Sequence, residues 1–172
     1  MSWEDEFRNQ FKRFEASSFA KSKGLFLSIK VYTMGCYHRE HSPNAYRLID
    51  EYLQSHNSTE FTFQEHEHGP ELFVYLGTAI SLTVSVINLV VAIINARSEG
   101  IKRGDRRGGH LSFIIRGFDE NGNLKEEKVL RIDSNDSVTK ELIGKALNYS
   151  LNKFVPSNVK GNKTRRTIHQ KY

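Results

Sequence analysis

The sequence predicts an α/β chain, two-layered in the α+β manner. It consists of a four-stranded mixed sheet with helices on one face and one long apolar helix, in the order α-β-α-β-α-β-β-α. Three observations carry this expectation. Leu25, Leu27, Ile29 and Val31 alternate with Phe26, Ser28, Lys30 and Tyr32, the period-two pattern of a strand. Leu72 to Asn95 holds no charged side chain, although 26% of the chain is charged. Asn121-Gly122, the strongest short hairpin signal, stands between two runs of alternating apolar residues.

The elements follow in order. Trp3, Phe7, Phe11 and Phe14 recur at steps of four, four and three, one aromatic stripe on a helix over 1–16. The stripe reads as a docking face. Residues 17–24 read as a linker, and 25–155 as a single α/β domain. After the first strand, Ser42 offers an N-cap and Pro43 a first helical position. The apolar side of that helix is Ala45, Ile49, Tyr52 and Leu53. Phe61 and Phe63 alternate with Thr62 and Gln64 in a second strand, and the β-α-β spacing suits parallel pairing. A helix from 71 to 97 comes next, followed by a mobile basic loop over 102–109. A two-residue turn at Asn121-Gly122 pairs Phe113 with Leu130, Leu111 with Ile132, Ile114 with Val129 and Arg116 with Glu127. Asp136 or Ser137 caps the last helix, whose buried side is Val138, Leu142, Ile143, Ala146, Leu147 and Leu151. Pro156 ends it and a disordered basic tail, 156–172, begins.

The apolar segment admits two placements. As a bilayer span over 72–95, with the basic loop as a positive-inside flank, it separates two pairs of strands, and two-stranded units are marginal alone. As a buried helix it lets the two halves complete one sheet, which is the reading taken here, with a cytoplasmic location. A single-pass membrane protein is the alternative. Within the segment Thr78, Ser81, Ser85, Asn88 and Ala92 form a stripe of small and polar residues, a candidate helix–helix interface together with Trp3, Phe7 and Phe11.

The net charge of +5 is uneven: residues 1–70 carry 8 Lys/Arg against 10 Asp/Glu, and residues 101–172 carry 16 against 8. Lys102, Arg103, Arg106 and Arg107 in the loop, with Lys160, Lys163, Arg165 and Arg166 in the tail, are candidates for holding a polyanion such as nucleic acid. One cysteine excludes an internal disulfide and fits a reducing compartment. The acidic start, Trp3-Glu4-Asp5-Glu6, does not read as a secretory signal. Cys36, His38, His41, His66 and His68 are weak metal candidates, since Cys36-x-His38-x-x-His41 is not a standard zinc spacing. Gly104, Gly108 and Gly109 do not follow a strand into a helix, so no phosphate loop is read and no cofactor is implied. No nucleophile–base pair or tuned carboxylate pair is visible, and a non-enzymatic chain is expected.

The stretch from Gly69-Pro70-Glu71 through Ile132 has a short strand, a long apolar helix ending in Asn95-Ala96-Arg97, a basic Gly-containing loop, a hairpin and a closing helix. In this pattern it resembles the small effector-associated constant component family of bacterial conflict systems. The resemblance implies an adaptor that links a sensor or effector into a defence assembly, as an oligomer or with a protein partner, and it supplies no catalytic residues. The sequence thus predicts an adaptor assembling through helix 71–97, with a membrane span and a polyanion-binding protein as alternatives.

Overall fold

The computed structural model describes residues 1–17, 25–35, 37–76, 81–133 and 138–154. Its elements are α1 (Trp3–Glu15), β1 (Leu25–Thr33), α2 (Pro43–Ser55), β2 (Phe61–Gln64), β3 (Glu71–Leu76), α3 (Val84–Lys102), β4 (Leu111–Phe118), β5 (Leu124–Ile132) and α4 (Lys140–Leu151). The strands form one five-stranded sheet in the order β2-β3-β1-β4-β5, and every neighbouring pair is antiparallel.

This corrects the four-stranded mixed sheet and the single helix over 71–97. Residues 71–76 are a central strand, inserted between β1 and β2, so those two strands are not parallel neighbours. Leu72, Val74 and Leu76 join the core beneath α2, α3 and α4, while Phe73 packs in a second core under α1. The sheet is therefore covered on both faces, not one. A strand buried on both sides reads as a continuous apolar run, which periodicity cannot separate from a buried helix.

The aromatic stripe of α1 covers its part of the sheet. Phe7 is fully buried, with ring centroids 5.0 Å from Phe26 and 5.6 Å from Phe118. Ser2 starts the helix by accepting a bond from the Asp5 amide at 3.2 Å.

The hairpin holds the expected pairs Leu111–Ile132 and Phe113–Leu130, but the register shifts between Phe113 and Ile114. Beyond that bulge Ile114 faces Lys128 and Arg116 faces Glu126, correcting the pairs with Val129 and Glu127. The bulge is matched at the other end by a five-residue connection, Asp119–Asn123, instead of a two-residue turn. Asp119 Oδ1 accepts from the amides of Asn121 and Asn123, and Gly122 adopts φ +83°. Thr139 caps α4 by accepting from the Leu142 amide at 3.2 Å; Asp136 and Ser137 lie outside the described residues.

Candidate functional site

α3 runs across the core, and its last turns point at the basic segment. Thr83 caps its start, and Val86, Leu89, Val90 and Ile93 are buried against α2, α4 and the sheet. The apolar face continues to Arg97, which is only 6% exposed. Its Nη2 donates to the Gly109 carbonyl. No carboxylate among the described residues pairs with it. Burial pulls its pKa down, and the neighbouring Tyr37 opposes that shift. A guanidinium carries five donors in a fixed fork, and a buried cation without a counter-charge is costly.

Arg97 lies on a cavity of about 390 Å³ between the end of α3, the segment 107–111 and the chain around Ile132 and Val138. Lys102 and Arg107 add two more cations, Asn95 and Ser98 supply neutral polar groups, and Asp133 one carboxylate. Ile94, Ile101, Leu111, Ile132 and Val138 give an aliphatic wall.

The basic segment is tied down, which corrects the expectation of a mobile loop. Asp105 is buried and turned inward, onto the start of α2. Its Oδ1 accepts from the Asn44 amide at 3.0 Å and from Asn44 Nδ2 at 2.9 Å, and its Oδ2 accepts from the Ala45 amide at 2.8 Å. The two backbone amides are orphan donors of a helix N-terminus, where a carboxylate also meets the positive end of the helix dipole. Ser42 occupies the N-cap position but makes no capping bond with its side chain, so Asp105 does that work from a distant part of the chain. Gly100 makes the approach feasible, since a Cβ there would sit 2.3 Å from Asp105 Oδ2 and 2.8 Å from the Ala45 nitrogen. Arg106 N–H donates to the His41 carbonyl at 3.0 Å and Gly109 N–H to the Met34 carbonyl at 3.3 Å. Tyr37 lies beneath this segment with its hydroxyl enclosed and without a hydrogen-bond partner among the described residues. Burial raises its pKa, against the pull of the Arg97 charge, and Asp105 adds to the rise.

The residues singled out from sequence fall in separate places. Lys102 and Arg107 line the cavity; Arg103 pairs with Glu99 at 3.1 Å, and Arg106 is exposed. Lys160, Lys163, Arg165 and Arg166 lie outside the described residues, as do Cys36 and Thr78. Ser81 is exposed, and Ser85, Asn88 and Ala92 are half-buried. Ser85 donates to Glu60 Oε2, as does Thr83 at 2.7 Å. Asn88 Oδ1 is enclosed with no hydrogen-bond partner among the described residues. Of the aromatic stripe, Phe7 is buried, Phe11 is half-buried 4.9 Å from Phe118, and Trp3 lies under the Arg116 guanidinium at 4.7 Å.

The histidines do not converge. His66 and His68 lie in the β2–β3 connection. His38 and His41 sit together with Glu40, their rings 5.3 Å apart. His68 places Nδ1 2.7 Å from the Gly35 carbonyl. His66 stands between Glu6 and Glu71, at 3.7 and 3.4 Å.

That last group belongs to a buried polar network under α1. Ser28 donates to Glu71 Oε1 at 2.6 Å, Arg116 Nη1 reaches both Glu71 oxygens at 3.1 Å, and Lys30 donates to the Gly69 carbonyl at 2.5 Å. Burial works to raise the Glu71 pKa, but His66, Arg116, Ser28 and Lys30 outweigh it and hold the carboxyl below its ordinary range. Burial lowers Lys30 to about 8, with Glu71 opposing. Glu71 is thus already matched by the cations beside it, and the network reads as the polar seat of α1 on the sheet.

Arg97, Asp105 and Glu71 stand outside the residues that motif and spacing single out as a site, and Arg116 is marked there only as a cross-strand partner of Glu127. The available signals were single charges on apolar faces: Arg97 closing the uncharged run and Lys30 inside an apolar strand. Nothing local marks Asp105 as a cap. Comparison with known proteins adds no relative: no family model, no curated protein and no solved structure matches the chain.

Proposed function

We propose that the chain is a non-enzymatic binding module that takes an anionic group in the cavity beside Arg97. The observation that carries this reading is the buried Arg97 guanidinium, with no carboxylate partner among the described residues, on a concave surface that also presents Lys102 and Arg107. An incoming phosphate or sulfate supplies the missing counter-charge through charge-assisted hydrogen bonds. The segment is pre-shaped by the Asp105 cap and the bonds to His41 and Met34, so little ordering cost is left for binding.

The element order β3, α3, basic segment, β4–β5 hairpin, α4 is the one on which the resemblance to the effector-associated constant component family rests, and an adaptor role is compatible with an anion-responsive module. Much of the apolar surface of α3 is occupied inside the fold, which moves the recognition surface from that helix to the cavity at its end. By length and composition α3 suits a membrane crossing, yet half of it is buried. Its uncharged part, Val84 to Ala96, falls short of the roughly 20 apolar residues a span requires. We read it as a core helix.

Titration calorimetry with inorganic pyrophosphate at low salt tests the proposal. Binding is expected, weakened at least tenfold by Arg97→Gln and several-fold by Lys102→Ala with Arg107→Ala, two exposed positions whose replacement leaves the core untouched. Absence of binding to the unmutated chain overturns it.

A further inference from the structure

Beneath α1, three ligand-type side chains from separate parts of the chain meet at one point. Glu6 comes from the first turn of α1, His66 from the β2–β3 connection and Glu71 from the start of β3. Glu6 Oε2 and Glu71 Oε2 stand 3.7 and 3.4 Å from His66 Nε2, and the three ligand atoms all lie within 4.8 Å of one another. His66 Nε2 is enclosed and makes no hydrogen bond among the described residues. Good N–H···O bonds span about 2.7–3.2 Å, so neither carboxylate has closed on the nitrogen. The spacing is that of ligands around a shared ion: two bonds of about 2.0–2.1 Å at the tetrahedral angle hold their ends roughly 3.4 Å apart.

The surroundings hold the three groups in place. Gly69 turns the connection at φ +119°, and its N–H donates to the His66 carbonyl at 3.0 Å. A Cβ at position 69 would lie 2.1 Å from the Val31 carbonyl oxygen. An ionised carboxylate has about four acceptor sites. Ser28 takes one on Glu71 Oε1, and one Arg116 nitrogen is shared between both oxygens, so Oε2 keeps acceptor capacity for a further partner. Ligating carboxylates are ordinarily bonded from outside in this way. Glu71 is matched by its cations, but Glu6 adds a second carboxylate, and Arg116 also serves Glu126 at 2.8 Å. Glu6, Glu71 and Glu126 thus outnumber Arg116 and Lys30, which leaves the cluster short of positive charge.

We propose that Glu6, His66 and Glu71 bind a divalent transition-metal ion that fastens α1 to the sheet. An imidazole ligand favours zinc over calcium or magnesium, which take oxygen shells. The side chains of His66 and Glu6 are 27% and 28% exposed, so water can complete the coordination. This site is separate from the cavity beside Arg97 and independent of the anion-binding reading.

Zinc titration of the full chain after chelator treatment, read by calorimetry and by hydrogen exchange, tests it. Zinc should bind and slow amide exchange in α1, and calcium and magnesium should do so at least tenfold more weakly. His66→Gln and Glu6→Gln should each weaken that binding at least tenfold and abolish the slowing. Glu6→Gln leaves the buried rings of α1 untouched, so it reads the site even if the His66→Gln chain does not fold. A chain with both His38→Gln and His41→Gln should keep the effect, because those histidines belong to a separate cluster with Glu40. No zinc binding to the unmutated chain overturns the proposal. So does zinc binding that leaves exchange in α1 unchanged, that ignores Glu6→Gln, or that is lost with His38 and His41.

Discussion

Replacing Asp105 with alanine removes one carboxylate that serves two purposes, capping α2 and holding the basic segment in place. The side chain accepts three hydrogen bonds, from the Asn44 amide, Asn44 Nδ2 and the Ala45 amide. Loss of an N-cap costs about 0.5–2 kcal/mol, and the Ala45 contact is buried, where an unsatisfied amide costs about 1–3 kcal/mol. These overlap, so Asp105→Ala should destabilise the fold by about 3 kcal/mol. Asp105→Asn keeps one accepting oxygen and turns an amide donor toward a backbone N–H, and should cost about half as much. Urea unfolding followed by circular dichroism measures both, and at this chain length about 3 kcal/mol moves the thermal midpoint by roughly 6–12 °C. A second readout follows from the geometry: pyrophosphate affinity should fall in Asp105→Ala although Asp105 does not line the cavity. An Asp105→Ala chain within about 0.5 kcal/mol of the original, the range of ordinary surface changes, would refute the capping role.

Other perturbations test other parts of the account. Gly100→Ala places a Cβ against the Ala45 backbone nitrogen and Asp105; the overpacking, about 1–3 kcal/mol, should outweigh the roughly 1 kcal/mol gain in helix propensity and lower the urea midpoint. Phe7→Ala should cost about 3–5 kcal/mol in the same assay, since the ring is fully buried between α1 and the sheet. Lys30 gives a pH signature. Its pKa is about 8 in the fold against an ordinary 10.5, so from pH 8 to 10.5 the unfolded chain holds more protons and stability should rise with pH. Relative to Lys30→Met, that rise should approach about 3 kcal/mol, and a flat difference between the two chains across this range would show that Lys30 is not penalised by burial.

Elements with a clear period were legible in the sequence. α1, β1, α2 and the two strands of the hairpin lie where their apolar spacing puts them, and Pro43 opens α2 as expected. The segment from Glu71 does not show its strand in the sequence because β3 is buried on both faces, by α1 through Phe73 and by the other helices through Leu72 and Val74, which erases the alternation that marks a half-exposed strand. The hairpin register was correct up to Phe113 and shifted by one beyond it, because an extra residue in a bulge leaves no compositional trace. Of the candidate site, Lys102 and Arg107 were visible as part of a basic run. Arg97 appeared only as the end of an apolar segment. Asp105 caps a helix that begins some 60 residues earlier, and no local pattern encodes that contact. The metal candidates form two short groups in sequence, 36–41 and 66–68, and the described ones among them, His38 with His41, His66 and His68, stand in three different settings.

The most direct test of the central claim is a proton–nitrogen NMR titration of the chain with pyrophosphate, reading which backbone amides and which Arg Nε signals move. Saturable shifts confined to residues 94–109, with Arg97 Nε and the amides of Gly108 and Gly109 among the largest, are the predicted result. Shifts that are absent, or that scatter over exposed cations such as Lys12, Arg13 and Arg47, would contradict an anion site built around Arg97.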